Sequence, residues 1–254
     1  MERSPGTVTC DADVDALPAQ GNVTERVLIS GEHYAEPMLH RSLHVAEGTS
    51  DVRIDPAHDE YLYVLAGEVD VSIDGERVSA TAGTAFQILA GETWHMTVAN
   101  GSAHVLSFLV PAPVTPWAAA LAKPVDRVEH VARLGAQVQQ AATADRQFEV
   151  LFNRDRGSRG ATMFVGFIPT SGAPEHYHLY DEICVIVRGS GILHTRGVEQ
   201  PFTVGSAFHV APRLLHALEN PHPEDLWLLG VFRPEGSAAA AYYPDGRPAP
   251  NNED

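Results

Sequence analysis

The sequence predicts an all-β protein built from two tandem barrels. Three observations carry this. Short β-rich runs recur along almost the whole chain, separated by glycine-containing turns. The first half repeats the second in spacing and residue type. A proline-rich break, Pro111-Ala-Pro-Val-Thr-Pro116, lies between the two copies.

In the first half the runs are Glu60–Leu65, Val69–Ile73, Ala85–Leu89 and Val105–Val110. Gly67, Asp74-Gly75 and Asn100-Gly101 punctuate them as hairpin turns would. In the second half they are Phe148–Phe152, Ala161–Ile168, Glu182–Val187, Gly191–Thr195, Ser206–Val210 and Leu226–Phe232. Regular short strands with tight turns suit a sandwich or barrel.

The repeat is explicit. Asp59-Glu60 leads to Gly67 at the same distance that Asp181-Glu182 leads to Gly189. Gly83-Thr-Ala-Phe86 matches Gly205-Ser-Ala-Phe208, and His95 and Asn100 answer His216 and Asn220. We place an N-terminal extension at 1–24, a first barrel at 25–113, a connector at 114–146, a second barrel at 147–234 and a tail at 235–254. Within the connector, Val125, Val128, Val131, Leu134 and Val138 recur at helical spacing behind Pro124, which predicts one amphipathic helix. The two ends are rich in Pro, Ala, Gly and Asp/Asn and are expected to be loose or draped over the barrels.

Composition narrows the function. The 254 residues carry a formal net charge of −16, which disfavours nucleic acid and anionic membrane as partners. No apolar run is long enough to span a bilayer, and the first residues lack a secretory hydrophobic stretch, so a cytoplasmic protein is expected. Two cysteines, Cys10 and Cys184, imply no disulfide framework. Neither a Gly-x-Ser-x-Gly elbow nor a dinucleotide-binding glycine fingerprint occurs.

The chemistry concentrates in His176-Tyr-His178-Leu-Tyr-Asp-Glu182, answered by the distant His216. Side chains two apart on a strand share a face, so His176 and His178 can grip one ion together. Glu182 reaches it from the next strand, and His216 completes three imidazoles and one carboxylate. That shell suits a divalent first-row metal and leaves positions open for substrate.

These residues resemble the cupin superfamily, specifically its two-domain members, the bicupins. The first motif of that family, Gly-x5-His-x-His-x3,4-Glu-x6-Gly, is met by His176, His178, Glu182 and Gly189, with Thr170 in place of the leading glycine and Gly172 nearby. The second, Gly-x5-Pro-x-Gly-x2-His-x3-Asn, is met by Gly205, His216 and Asn220, with Ala211 and Arg213 as departures. The resemblance implies two double-stranded β-helix (jelly-roll) barrels joined by the short helical connector. It implies one divalent metal per chain, with Fe2+ or Mn2+ favoured and Zn2+, Ni2+ or Co2+ open. The activity it implies is that of a metal-dependent enzyme on a small-molecule substrate, foremost a dioxygenase of the quercetin-dioxygenase type. Metal-assisted isomerase, decarboxylase or hydrolase (the ureidoglycine aminohydrolase type) is the alternative, and a non-catalytic binding or storage bicupin stands beside them. Glu182 is the expected catalytic group, as ligand and proton acceptor.

In the first copy, Ile54 and Pro56 stand where the two histidines should be. A makeshift site of His58, Glu60 and His95 is one reading of it; a metal-free barrel that serves packing, pairing or pocket shape is the preferred one. Period-2 alternation makes Cys184 a cavity residue alongside Glu182. Met163, His194 and Arg196 are further pocket candidates, Arg196 as an anion-binding fork. Exposed barrel edges favour pairing, so a homodimer is expected.

Overall fold

The computed structural model describes residues 4–30, 38–112 and 127–252. The first half holds β1 (Val23–Ile29), β2 (Leu39–Thr49), β3 (Arg53–Ile54), β4 (His58–Ala66), β5 (Glu68–Ile73), β6 (Glu76–Thr81), β7 (Thr84–Ile88) and β8 (Thr93–Pro111). The second holds β9 (Val131–Arg133), β10 (Gln140–Ala141), β11 (Gln147–Phe152), β12 (Thr162–Ile168), β13 (Ala173–His176), β14 (Asp181–Arg188), β15 (Ser190–Thr195), β16 (Val198–Thr203), β17 (Ala207–Val210), β18 (His216–Glu219) and β19 (Leu226–Arg233). Every strand expected from the sequence lies within or largely overlaps one of these.

Each half is a jelly-roll of antiparallel strands. In the second, one sheet runs β10-β11-β12-β19-β14-β17 and the other β13-β18-β15-β16. In the first, the long β8 belongs to both layers: its early residues pair with β3 and β5, its later ones with β2 and β4. Asn100-Gly101, expected as a hairpin turn, is instead an exposed stretch of β8 itself, where the strand passes from one layer to the other.

The near-continuous apolar runs of β4 and β14 follow from burial on both faces. Leu62 and Val64 point into the first barrel, and Cys184 and Ile186 into the second. Tyr61, Tyr63, Ile183 and Val185 point the other way, into one core shared by both barrels. Phe108 of β8 and Val165, Leu229 and Val231 of β12 and β19 join them. Polar contacts cross the same seam: Tyr61 Oη meets Ser158 Oγ at 2.6 Å, and Arg159 pairs with Asp59.

The connector departs from expectation. Val125 lies outside the described residues, but residues 127–146 form no helix. Val131 instead enters β9, which extends the first barrel's sheet by pairing with β7. Gly135, at φ +86°, then turns the chain, and its N–H is held by the buried Glu149 carboxylate. Tertiary pairing outweighs a weak helical periodicity here.

The ends are also less free than expected. Residues 4–9 run along β17, with Gly6 N donating to His209 O at 2.7 Å and Thr9 exchanging two backbone bonds with Ala207. Ala239, Ala240 and Ala241 of the tail are buried over the second barrel.

Candidate metal centre

β13 carries His176, and the chain stays extended through Tyr177, which exchanges two backbone bonds with Tyr242. Alternation therefore persists: His176 and His178 face inward, while Tyr177 stacks outside on Tyr242 at 5.4 Å. β18 pairs with β13 so that His216 stands directly across from His176. The ring centroids of His176 and His216 are 4.3 Å apart, those of His176 and His178 5.0 Å, and those of His178 and His216 5.8 Å. Their ligand nitrogens lie within 4.8 Å of one another. Glu182, the first inward residue of β14, brings Oε2 to 3.8 Å from His178 Nε2. The structure thus gathers the three histidines singled out in the sequence and sets Glu182 beside His178, outside the cluster of mutually close donor atoms.

All three imidazoles share one tautomer. His176 Nδ1 lies 2.6 Å from Pro174 O, His178 Nδ1 2.8 Å from Ala240 O and His216 Nδ1 2.9 Å from Leu214 O. A carbonyl only accepts, so each Nδ1 carries the hydrogen and each Nε2 keeps its lone pair. Burial holds all three neutral, with His178 pushed down to about 3, His216 to about 4 and His176 well below the usual range. The same burial raises Glu182 to about 7, against the opposing pull of Cys184 and Arg146. The donor set fits a divalent transition metal: neutral imidazoles, oriented by backbone carbonyls, beside one carboxylate.

Around these donors lies a narrow cavity of about 40 Å³, room for only a very small ligand. Phe164, Ile168, Leu218, Leu228 and Phe232 give it apolar walls. Phe164 stacks on Phe232 at 4.7 Å, and Tyr180 packs between His178 and Phe232. The Tyr180 hydroxyl donates to the carbonyls of Ser237 and Ala240, which pins the tail across the mouth.

Arg146 was not foreseen. It lies just before β11, is 9% exposed and lines the cavity. Its Nε donates to Thr143 O at 3.0 Å, while the buried Nη2 has no hydrogen-bond partner among the described residues. Burial lowers its pKa to about 10, which leaves it charged at neutral pH.

Cys184 lines the cavity as expected, and burial pushes its thiol up, so it is an unreactive wall group. Three other candidates fall elsewhere. Met163 belongs to the seam between the barrels; the alternate set, Phe164, Gly166 and Ile168, faces the cavity. The register decides this, because Phe164 stands opposite Gly230, whose missing side chain makes room for the ring. His194 lies on the outer face of β15, 3.0 Å from Glu219, because Leu193 takes the inward place. Arg196 sits exposed in the β15–β16 turn at φ +53°. Asn220 ties the loop after β18 by donating to Ile168 O and Glu224 O, and His209 is buried against Asp181 at 2.8 Å.

Among the described residues the first barrel has no matching centre. Strand pairing aligns Glu60 with Glu182, Ser107 with Gly230 and Arg41 with Phe164. Arg41 Nη2 binds Glu60 Oε1 at 2.7 Å and Nη1 reaches Glu25 at 3.4 Å, so a fixed guanidinium supplies the positive charge. Ser107 also donates to Glu60. His58 is turned to Asp55 at 2.8 Å, and His95 lies across from Ser72. His58, Glu60 and His95 do not form a donor cluster among the described residues.

Gly230 gives a direct test of the cavity floor. A side chain there would overlap the Phe164 ring and press on Glu182 Oε1. Gly230→Val is expected to cost about 2–3 kcal/mol in urea unfolding and to weaken metal retention in the same preparation. Unchanged stability would show that the aromatic wall yields freely.

The Cupin domain family model matches residues 39–110 and 163–232, together more than half of the chain. No curated protein matches the sequence. Among solved structures, protein Ylba from E. coli aligns with a TM-score of 0.71 at 9% identity, covering 89% of this chain and 89% of that one. A deletion mutant of Bacillus subtilis oxalate decarboxylase OxdC aligns at 0.67 and 12% identity, covering 93% and 80%. AerE from Microcystis aeruginosa aligns at 0.67 and 14%, covering 87% and 96%. At these identities the likeness concerns the fold. With one matched segment in each jelly-roll, the chain belongs to the cupin family and carries two cupin domains.

Proposed function

We propose that His176, His178, His216 and Glu182 hold one divalent transition metal, and that the chain is an enzyme acting on a small, carboxylate-bearing substrate. The supporting observation is the shared tautomer: three Nδ1–H groups tied to carbonyls turn three Nε2 lone pairs toward one point beside a buried carboxylate. Bound Fe2+ or Mn2+ would supply a Lewis acid with open positions for substrate oxygens and dioxygen. Dioxygenase-type oxidation is the first reading.

The chain's own residues bind and orient. Arg146 offers its unpartnered Nη2 to a substrate carboxylate, a charge-assisted bond strengthened by the apolar walls. Phe164 and Phe232 exclude water from the reacting end. Glu182 is a ligand and, among the described residues, the only carboxylate lining the cavity, able to hold a proton at Oε. A buried cation beside the metal donors also favours decarboxylation, the activity named for the oxalate decarboxylase to which the fold is similar.

The test is oxygen uptake and CO2 release by freshly purified, metal-assayed protein over 2-oxo acids, hydroxy acids, catechols and diketones. Oxygen uptake supports the first reading; CO2 release without net oxygen uptake supports the second. Arg146→Leu is expected to raise KM for carboxylates about 10-fold or more and to spare neutral diketones. No turnover of any of them, with wild type and His176→Ala alike, would leave a binding protein.

A further inference from the structure

A second group of donors gathers on the outer face of the first barrel, away from its interior. His44 on β2 and His104 on β8 are direct cross-strand partners, and their rings stack at 4.3 Å. Residues so placed rise from the same face of a sheet. Ser42, two residues before His44, shares that face. Both Nε2 atoms aim at one spot: Ser42 Oγ lies 2.6 Å from His104 Nε2 and 3.3 Å from His44 Nε2. Asp11 Oδ2 lies 3.0 Å from His44 Nε2. The three donor atoms are within 4.8 Å of one another. The other carboxylate oxygen, Asp11 Oδ1, is buried without a hydrogen-bond partner among the described residues. Such an atom calls for a partner that the protein atoms do not supply.

Asp11 reaches this place from the second barrel. The preceding residues are bonded along β17 through Gly6 and Thr9, and Cys10 Sγ lies 3.4 Å from Ser206 Oγ. The chain then makes a single 3-10 turn, Asp11–Asp13, over β2 and β8. The carboxylate is thus fastened to one barrel and the imidazoles to the other.

We propose that Asp11, His44 and His104 form a second metal site, for a divalent ion of the zinc class, which braces the N-terminal segment and the second barrel against the first. Two imidazoles and a carboxylate are an ordinary zinc donor set, with water or the Ser42 hydroxyl in the fourth position. Because the donors meet only when the segment is docked, an ion there stabilises the docked arrangement. Arg26 Nη1, 3.8 Å from Asp11 Oδ2, shares the carboxylate and keeps the affinity moderate. The role is structural and stands apart from the barrel centre, which shares no donor with it.

The full chain, stripped of metal, is titrated with Zn2+ by calorimetry, and thermal unfolding is followed in parallel. Wild type is expected to take two equivalents. His176→Ala retains the one between the barrels. Asp11→Asn, which preserves shape, and His104→Gln each retain the one inside the second barrel, with the other site at least about 10-fold weaker. Zn2+ raises the Tm of His176→Ala but not of His176→Ala combined with Asp11→Asn. A wild type with a single equivalent that survives His176→Ala and disappears in Asp11→Asn upholds this site and removes the barrel centre. The proposal is overturned if Asp11→Asn and His104→Gln bind zinc with wild-type stoichiometry and affinity, or if His176→Ala binds none.

Discussion

His176→Ala is expected to cost the protein one equivalent of metal per chain and essentially all turnover. In the proposed centre three imidazoles share the work of holding one ion, and His176 stands across from His216 with their rings 4.3 Å apart. Its removal leaves two nitrogens and a carboxylate that burial drives toward the protonated form. Loss of a supporting partner alone commonly weakens metal binding about 10–100-fold, so loss of a ligand should exceed that range. Elemental analysis after dialysis is the readout, with His194→Ala as the control. His194 lies outside, bonded to Glu219, and its replacement should leave metal and activity unchanged. A His176→Ala protein that retains the full complement of metal and its turnover would end the assignment of the centre.

The metal-free protein is expected to unfold on mild acidification. His178 titrates near 3 and His216 near 4 when folded, His176 well below its ordinary value, and the buried His40 near 4, all depressed first by burial. An unfolded histidine takes a proton near 6.5. Below that pH the unfolded chain binds protons that the folded chain refuses, so the stability is complete above about 6.5 and is lost as pH falls toward the folded values. Each such group contributes a slope of about 1.4 kcal/mol per pH unit. Glu182 works the other way. Its folded value of about 7 exceeds the ordinary 4.5, so it favours the folded state on acidification and offsets one histidine. With these four histidines, and His104 likewise lowered to about 4 by burial, against one carboxylate, a loss of at least about 3 kcal/mol between pH 6.5 and 5 is expected, a large share of a typical domain's stability. Urea unfolding of metal-free protein across that range measures it. A flat profile would mean that the imidazoles take up protons freely in the folded state.

The strands were legible because β4 and β14 are buried on both faces, which writes the same dense apolar run into each copy. His176 and His178 were legible as a pair because extended backbone turns a spacing of two into a shared face. Alternation alone divides β12 and β15 into two sets without saying which looks inward. That choice rests on Phe164 meeting Gly230 across the sheet and on Leu193 entering the core, relations between residues far apart in sequence. Arg146 carries no periodic signal, since it precedes β11 in an irregular stretch, and only burial beside the histidines marks it out. The helical spacing around Val131 was real, but one edge pairing with β7 outweighed it.

The seam between the barrels is made largely of equivalent strands from each copy: β1, β4, β7 and β8 on one side, β11, β14, β17 and β19 on the other. Matching surfaces meeting in this way are the hallmark of a two-fold subunit contact, here enclosed within a single polypeptide. A single-barrel form of this fold would have to cover Tyr61, Phe108 or Leu229 with a second molecule, whereas this chain carries its own mate. Either half produced alone would expose that face and aggregate, and the whole should melt in one cooperative transition.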